Sequence, residues 1–392
     1  MSAETSAETF RPGAPSAAWR PLATLHRAAP ALGLFAAARL TGMLVMALWA
    51  WHTGRSPRAL LAGSWDSDWY LRIAAHGYGR TLYWPDGAVQ SDLAFFPLYP
   101  GLVRVVTAVL PVAGGTAGLL VSWTAAGAAA WGIFRIGERL YGRGVATALV
   151  ALWGLLPHSI VLSMAYTEPV MTAFAAWALY AVLTRHWLWA GALAALAGAA
   201  RPNGVAVAAA VVVTAACALV RDARGRTDWR VWAGAALAPA GWAGYVLWVG
   251  ARRGDLLGGY FAVQAGWTSR FDFGAGTLRF VRTVVTRPMD LGFTMSLALT
   301  AVGVVLLALF LLDRPPLPLV VYTAVLVVIA VGGSGFFESK PRFLLPAFPL
   351  LVPVACALRK ARPGAAVVVT AALAGLSFAY GAYVLTLATM AL

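Results

Sequence analysis

Charged residues are scarce in this chain of 392 residues, which is 11% charged and 60% hydrophobic. Soluble domains carry about 25% charged residues. Because so few charges cannot cover so much apolar surface, the composition excludes a water-soluble particle. Apolar runs of about 20 residues recur along the chain, which is the length of a helix that crosses a bilayer. The sequence therefore predicts an all-α polytopic protein of the cell membrane.

Acidic residues are the rarer charge, since 15 acidic side chains accompany 30 basic ones and the formal net charge is +15. Lysine is almost absent, because Lys340 and Lys360 are the only two and arginine supplies the rest. In a membrane protein, arginines in short loops set the orientation and contact anionic lipid. We therefore expect membrane lipids, and no nucleic acid, among the partners.

Cysteine is limited to Cys217 and Cys356, both in apolar runs, which excludes a disulfide framework and a cysteine zinc site. The first 29 residues lack the apolar core and the small-residue cleavage site of a signal peptide. We predict a disordered cytoplasmic N-terminal arm over residues 1–29. A single integral-membrane domain is expected over residues 30–392.

Apolar segments of helical length predict a bundle of about 11–12 transmembrane helices. They lie at residues 30–52, 116–134, 145–164, 169–185, 187–200, 204–220, 231–250, 291–312, 317–335, 343–358 and 364–388. The stretch 93–111 is also apolar, but it contains Pro97, Pro100 and Arg104. Whether this stretch crosses the bilayer decides the side on which every later loop lies.

The positive-inside rule bears on the status of 93–111. The basic loops Arg135–Arg143, Arg221–Arg230 and Arg359–Arg362 share the side of the basic N-terminal arm only if 93–111 does not cross. We therefore expect an interfacial or re-entrant element there. The alternative is a genuine span, with another crossing lost in the 187–220 region. On the preferred topology four stretches face the outside, namely the first outer loop 53–92, residues 165–168, the loop 252–290 and residues 333–342. The region around Arg201 also ends on that side.

The first outer loop carries acids among aromatic residues in "GSWDSDWYLRIAAHGYG", residues 63–79. The pattern predicts a short interfacial helix in which Asp68 and Arg72 pair at i,i+4. Ser64 is a candidate N-cap, and acids in a first turn are favoured by the helix dipole, so both aspartates have an ordinary structural explanation. Asp66, however, falls in the apolar arc of the helix, where an acid is costly without a partner or a task.

Further polar islands interrupt the apolar segments. Glu168 ends "PHSIVLSMAYTE", while "AARPNG" combines Arg201 with Asn203, the one asparagine of the chain. Lys340 and Arg342 stand in "ESKPRFLLPAFP". Each of these groups also has an ordinary explanation. Glu168 is a helix-end acid, Pro-Asn-Gly forms a turn, and the cations of the last motif can extend to lipid phosphates. Because all lie on the outer side, together they predict one outward-facing site of acids, aromatics and cations, suited to a lipid phosphate that carries a sugar.

The order of these motifs resembles a known family. The series "WDSDWYLRIAAHGY", "FFPLYP", "SMAYTE", "ARPNG" and "KPRFLLPAFP" is similar to that of the PIG-V-type mannosyltransferases. These are the GPI mannosyltransferase II family and its bacterial relatives, within the GT-C superfamily of glycosyltransferases. The resemblance spans roughly residues 39–349. The order and spacing of the motifs between spans, more than any single motif, make it specific.

The resemblance implies a GT-C-like bundle whose first outer loop carries short interfacial helices. It implies a mannosyltransferase whose donor is polyprenyl-phosphate-linked mannose and whose active site is extracytoplasmic. The matching acid is Asp66, which would act as base in a single inverting displacement. Asp68 and Glu168 are candidates for a second acid. No cofactor is required by the sequence, and we predict no metal site, because "DSD" here is not the metal-binding motif of enzymes that use nucleotide sugars. A need for a divalent metal is left open by the sequence.

Further residues receive roles in this scheme. Arg201, with Lys340 and Arg342 as second choices, would stabilise the departing phosphate of the donor. Sugar and lipid contacts are expected from Trp65, Tyr70, His76, Tyr78, Tyr166, Asn203, Gln264 and Trp267. The acceptor is left open by the sequence, since a glycan, a lipid or a protein hydroxyl would fit.

Other functions fit parts of the same pattern. A flippase or transporter for a lipid-linked sugar is one, although carboxylates are missing from the middle of the apolar segments, where coupled transporters place them. A GT-C enzyme that uses a different sugar is another, because pocket shape sets the choice of sugar. An inactive scaffold is the third, and the intact Trp65-Asp66 pair disfavours it.

Overall fold

A computed structural model of the chain describes residues 21–85, 87–221 and 227–388, and most of these residues are helical. The helices are α1 (Pro21–His52), α2 (Pro57–Gly63), α3 (Asp66–His76), α4 (Leu98–Val109), α5 (Gly114–Gly154), α6 (Glu168–Leu183), α7 (Trp187–Ala200), α8 (Val205–Arg221), α9 (Trp229–Leu237), α10 (Ala240–Arg253), α11 (Gly259–Gly266), α12 (Ala275–Thr286), α13 (Leu291–Leu312), α14 (Leu317–Gly332), α15 (Lys340–Leu344), α16 (Val352–Lys360) and α17 (Pro363–Thr386). The all-α architecture predicted from composition is confirmed for this part of the chain.

Helix α1 begins earlier than expected. The arm was predicted to extend through residue 29, yet the helix starts at Pro21, so residues 21–29 belong to α1. Arg27 explains part of this extension, because its guanidinium lies 2.9 Å from the carboxylate of Glu138 in α5. The remainder of the predicted arm, residues 1–20, lies outside the described residues.

Five helices of the described part are long and apolar enough to cross a membrane. They are α1 from Thr24, α5, α8 with the turn before it, α13 and α17. Two helical segments, residues 337–344 and 348–360, are joined by a bend. If together they form one span, the number of candidate spans in the described residues rises to six. To reach the expected eleven or twelve crossings, shorter apolar helices such as α4, α6, α7 and α14 would have to cross as well. Length and composition alone therefore support fewer crossings than the sequence predicted.

Breaks within the apolar segments account for this difference. The segment 145–164 is helical only to Gly154 and continues as the 3₁₀ turn Pro157–Ser163. The segment 343–358 bends by 77° where α15 gives way to the helical residues after Ala347. Pro346 and Pro349 lie beside that bend, and proline removes a helical hydrogen bond. Hydropathy alone does not reveal such breaks.

The connection between α1 and α5 has the short helices that were predicted for residues 53–92. It contains α2, α3 and a two-stranded antiparallel hairpin, β1 (Thr81–Tyr83) and β2 (Val89–Ser91). Helix α4 follows, and its 12 residues extend for about 18 Å. Because a bilayer core is about 30 Å thick, α4 is too short to cross by itself. This agrees with the interfacial element predicted over 93–111 and disfavours the alternative of a genuine span.

Small residues bring the helices behind the site close together. The glycines Gly191 of α7 and Gly234 of α9 face each other so closely that a Cβ on either would collide with the opposing backbone. Helix α10 approaches α7 in the same way, where Gly241 meets the carbonyl of Ala195. Such contacts are typical of membrane helices, which associate by packing of small side chains. They fix the end of α7, where Arg201 stands.

Candidate active site

A cavity of about 970 Å³ lies beside the N-terminus of α3. Its walls come from α3, the β-hairpin, the break between α7 and α8, α11, and the connection from α14 to α15. Nine of the predicted site residues line it, namely Trp65, Asp66, Tyr70, Arg201, Asn203, Gln264, Trp267, Lys340 and Arg342. Residues more than 270 positions apart therefore meet in one place, as the sequence pattern predicted.

Asp66 is the first residue of α3 and points into the protein. Its Oδ2 lies 2.7 Å from Nη1 of Arg342, and its side chain is 21% exposed. The hydroxyl of Tyr166 accepts a hydrogen bond from the Asp66 amide at 3.3 Å. Ser64 was a candidate N-cap, but Trp65 occupies that position, with φ at 49° and no side-chain cap bond. The helix entry is thus set by tertiary contacts, which a local cap signal cannot show.

Asp68 lies on the opposite face of α3, away from the cavity. It pairs with Arg72 at 3.0 Å, as predicted for i,i+4, and with Arg80 at 2.9 Å. All three side chains are substantially exposed, and exposed ion pairs of this kind contribute little to stability. A role for Asp68 as a second acid at this cavity is not supported by its position.

Glu168 is completely buried at the start of α6 and does not line the cavity. Its Oε1 lies 2.5 Å from Nη1 of Arg201 and 3.3 Å from Nε of Arg342. Neither oxygen meets hydrogen-bond geometry, so these contacts are ion pairs without directed hydrogen bonds. Because a buried charge is costly unless paired, Glu168 and the two arginines depend on one another.

The four charges form a row in which signs alternate, from Asp66 through Arg342 and Glu168 to Arg201. We call these four residues the buried charge row. Thr167 adds to its far end, since its hydroxyl accepts a hydrogen bond from Arg201 at 2.8 Å. Two carboxylates balance two guanidinium groups, so the row carries no net charge.

Lys340 also lines the cavity but differs from the two arginines. Its Nζ donates hydrogen bonds to the carbonyl of Gly333, at 2.8 Å, and to the hydroxyl of Thr277. It lies 4.6 Å from the ring centre of Phe337. No ion pair joins it to a carboxylate within the described ranges. Lys340 is therefore a cation of the cavity whose charge is uncompensated by a direct partner.

Aromatic side chains form much of the remaining wall. Trp267 packs edge-on against Trp69, with ring centres 5.1 Å apart, and donates its indole N–H to the carbonyl of Ser91. Gln264 donates to the Ala94 carbonyl at 3.1 Å. Tyr70 lies deeper, with its hydroxyl 3.3 Å from that of Thr167. These contacts hold flat apolar faces and amide groups in fixed positions, which is the arrangement suited to a sugar ring.

The phenols near Asp66 stay protonated. Burial raises the pKa of Tyr70, and the charge of Asp66 raises it further. Burial likewise raises the pKa of Tyr166, again with a contribution from Asp66. Neither group is therefore a base at this site.

Asn203 lies at the break between α7 and α8, in the 3₁₀ turn Pro202–Gly204. It lines the cavity with 7% of its surface exposed. Its Nδ2 is buried without a hydrogen-bond partner in the described structure. Buried amide donors in folded proteins are nearly always paired. Asn203 therefore offers a donor that a bound molecule would satisfy.

Besides Asp68 and Glu168, three residues predicted to contact sugar or lipid do not line the cavity. His76 is exposed at the end of α3. Tyr78 donates to the Phe95 carbonyl at 2.8 Å and packs against Tyr245. Tyr166 lies behind Asp66, with the Arg342 guanidinium 5.2 Å from its ring centre, and acts as support. Direct sugar contact from these three residues is thus not supported by the structure.

Several cavity residues were missed by sequence reasoning. They are Trp69, Trp84, Gln90, Trp242, Phe261, Ser269, Arg270, Phe271, Ser334, Phe336 and Phe343. Trp242 lies in an apolar run that gives no sign of a site, and only the fold brings it close. Trp69 and Trp84 had a signal, because both stand in the first outer loop with the predicted acids. Thr167, which holds Arg201, directly precedes Glu168 in a motif already singled out.

The acidic side chains of the buried charge row are paired with arginine and, among the described residues, are not grouped with other potential metal ligands. Within the described ranges, no group of three His, Cys, Asp or Glu side chains is placed to hold a metal ion. Asp66 and Glu168 each contact arginine instead. That the site holds no metal stays a prediction.

No protein-family model matches the chain, and no curated protein matches its sequence. Solved structures from Archaeoglobus fulgidus are similar in fold. One is the oligosaccharyltransferase AglB in complex with an inhibitory peptide and a dolichol-phosphate, at 13% identity and a TM-score of 0.48, covering 90% of this chain and 55% of that one. Another is the oligosaccharyltransferase in complex with Zn and sulfate, at 12% identity and a TM-score of 0.47, covering 90% and 53%.

The chain thus spans about half the length of these archaeal structures. At this level of identity the similarity concerns the fold alone. No residue role and no substrate is carried over from it.

Proposed function

We propose that this chain is a membrane glycosyltransferase whose active site is the cavity beside Asp66. The observation that carries the proposal is the position of that carboxylate. It stands in the wall of a cavity that also presents aromatic faces, an unpaired amide donor at Asn203, and a cation at Lys340 that has no ion-pair partner in the described ranges. A base, a sugar-binding surface and a site for a leaving anion are the parts that glycosyl transfer to a hydroxyl needs.

Asp66 acts as the base in the proposed reaction. Its Oδ2 is held by Arg342, which fixes the orientation of the carboxylate while Oδ1 can face an acceptor hydroxyl. As the acceptor oxygen attacks the anomeric carbon, the bond from that carbon to the donor phosphate breaks. The acceptor proton passes to Asp66, and the bonding electrons leave with the phosphate. Attack from the face opposite the phosphate inverts the anomeric centre.

Lys340 is the better candidate to stabilise the departing phosphate. Arg201 was our first choice from sequence, but it lies 2.5 Å from Glu168 and donates to Thr167, so its charge is already balanced. Arg342 is likewise shared between Asp66 and Glu168. A developing negative charge is stabilised best by a cation that has no closer anion to serve. The two arginines then position Asp66 and Glu168.

The donor in this proposal is mannose linked to a polyprenyl phosphate, on the strength of the motif resemblance. The apolar side of the cavity supports a lipid-linked donor, since Ile329, Ala330 and Phe336 line it next to α14. Trp65, Tyr70 and Trp267 would contact the sugar, with Asn203 and Gln264 as its amide partners. The proposed site faces away from the cytoplasm, as the distribution of arginine predicts. A glycan, lipid or protein hydroxyl serves as acceptor.

The test is an assay of the full chain in proteoliposomes with radiolabelled polyprenyl-phosphate-mannose and a panel of membrane glycolipids and mannosides. We expect label to pass to an acceptor, and free polyprenyl phosphate to form in equal amount. Parallel donors that carry glucose or arabinose test the choice of sugar. If one of these is used in place of mannose, transfer stands and the mannose assignment falls.

Movement of the lipid between leaflets, measured in the same vesicles, tests the competing function. Lipid movement without transfer to any acceptor would contradict the proposed enzyme and would support a flippase.

An impermeant thiol reagent applied to a Trp84→Cys variant in intact cells tests on which side of the membrane the cavity opens. Labelling from outside is expected, because Trp84 is 50% exposed at the hairpin.

A further inference from the structure

Helix α12 (Ala275–Thr286) packs near the start of α13, one of the candidate membrane spans. The ring of its Phe280 stacks on Phe337, with centres 3.8 Å apart, and approaches Phe293 in the first turn of α13 at 5.9 Å. Its Thr277 hydroxyl donates to the carbonyl of Val331 near the end of α14. Since α13 is long and apolar enough to cross a bilayer, its first turn marks where the crossing begins. Helix α12 packs at that level.

The outer face of α12 is both apolar and basic. None of its residues is buried, and Leu278 and Val285 are 72% and 78% exposed. They are seven residues apart and therefore lie on the same face, two turns from each other. Arg279 and Arg282 flank this apolar strip and are exposed. The ion pair of Arg279 with Asp272, at 3.3 Å, leaves 73% of the arginine side chain accessible.

We propose that α12 is a docking site for anionic phospholipid headgroups. An exposed apolar strip edged by arginine is the pattern of a helix that lies in the interface plane, with its apolar side in the acyl boundary. The guanidinium groups are then at headgroup level, where they bind phosphodiester oxygens. A protein partner would need acidic side chains placed opposite Arg279 and Arg282. An anionic lipid surface presents negative charge along the whole exposed face of the helix.

The opposite face of α12 contacts the cavity wall. Thr277 accepts a hydrogen bond from the Nζ of Lys340 as well as donating to Val331. Phe271, shortly before the helix, lines the cavity and pairs with Gly333 across an isolated bridge. Lipid docked on the outer face would therefore steady the segment that holds Lys340, whichever reaction the cavity supports.

Hydrogen–deuterium exchange of the full chain tests the proposal. The protein is placed in nanodiscs of phosphatidylcholine, with or without phosphatidylglycerol, and exchange of the amides of residues 275–286 is followed. We expect phosphatidylglycerol to slow their exchange several-fold in the wild-type chain. The Arg279→Gln/Arg282→Gln variant should lose this difference, while Arg279→Lys/Arg282→Lys should keep it.

Arg314→Gln is the matched control, because Arg314 is an exposed arginine at the other end of α13. It should respond to phosphatidylglycerol like the wild type. Retained phosphatidylglycerol, counted by native mass spectrometry, should fall in the Gln/Gln variant alone. The proposal is overturned if phosphatidylglycerol leaves α12 exchange unchanged, or if the Gln/Gln variant responds as fully as the wild type. Protection that appears only when other membrane proteins are added would also overturn it, in favour of a protein partner.

Discussion

Two acid–arginine clusters begin on the same short helix and differ in nearly every physical respect. The buried charge row starts at Asp66 and continues inward, with Arg342 only 6% exposed and Glu168 fully buried. The second cluster starts two residues later at Asp68, where Arg72 and Arg80 lie at the surface. Distances within the two clusters are similar, between 2.5 and 3.3 Å.

Burial, and not composition, therefore separates the two clusters. In the exposed one, water screens each charge, and the loss of one partner is readily tolerated. In the buried row, removal of one charge leaves its neighbours unpaired in a medium of low dielectric constant. The buried row adjoins the cavity beside α3, whereas Asp68, Arg72 and Arg80 are not among the residues that line this cavity. The same residue types thus lie at a surface in one place and at a candidate active site in the other.

The largest expected effect comes from removal of the central anion of the row. Glu168→Ala leaves Arg201 and Arg342 with one carboxylate between them, and we expect a loss of about 3–5 kcal/mol of stability. Thermal unfolding of the purified protein in detergent measures it. Asp68→Ala is the matched control, with one acid removed from the exposed cluster. Equal shifts in the two variants would contradict the comparison.

A second prediction separates the compensated cations from the uncompensated one. Lys340→Gln should raise the KM for the lipid-linked donor about tenfold, which corresponds to ~1.4 kcal/mol of lost binding. Arg201→Lys keeps the charge that faces Glu168 and should change the donor KM much less. Donor titrations in proteoliposomes give both values. A larger KM change for the Arg201 variant would restore Arg201 as the phosphate site.

Asn203 should show opposite effects on stability and on function. Leucine has a similar shape and no buried donor, so Asn203→Leu should stabilise the empty protein by about 1 kcal/mol. The same change should weaken binding of the donor or acceptor substrate, since the Nδ2 group that would donate a hydrogen bond to it is lost. Thermal unfolding with and without donor distinguishes the two effects. Destabilisation of the empty protein would mean that Nδ2 is already satisfied.

The smallest effect is expected in the exposed cluster. Arg72→Gln should change stability by less than ~1 kcal/mol, and less still at high salt, because the pair with Asp68 is screened. Thermal unfolding at low and high ionic strength gives the comparison. A large loss that persists at high salt would show that this cluster supports α3 in a way that its exposure does not suggest.

The helical character of the chain was predictable because apolar residues dominate long stretches of it. The breaks were not, since Pro346 and Pro349 bend a run that hydropathy treats as continuous, and the bend depends on what packs beside it. The short helix at Asp66 followed from local periodicity. Its cap did not, because Trp65 takes the N-cap position in a conformation that Ala165 and Tyr166, a hundred residues away, help to hold.

Residue chemistry identified most of the site but not the pairing within it. The sequence indicated Arg201 as the first candidate for an anion, with Lys340 and Arg342 as second choices. Their difference depends on Glu168, which the fold places against Arg201 and Arg342, while no ion pair joins it to Lys340 in the described ranges. The sequence does not distinguish a tryptophan that faces lipid from one that faces the cavity, so Trp242 was missed.

The transfer rate of Asp66→Asn, compared with that of Asp68→Asn, tests the central claim most directly. The account predicts that Asp66→Asn lowers transfer about 10²–10⁴-fold, the usual contribution of a general base. Asp68→Asn, two residues away on the same helix, should stay within about threefold of wild type. Both variants should insert in the membrane and unfold near the wild-type temperature, because Arg342 keeps Glu168 as a partner when Asp66 loses its charge. Equal rates for the two variants, or a loss that follows unfolding alone, would contradict the account.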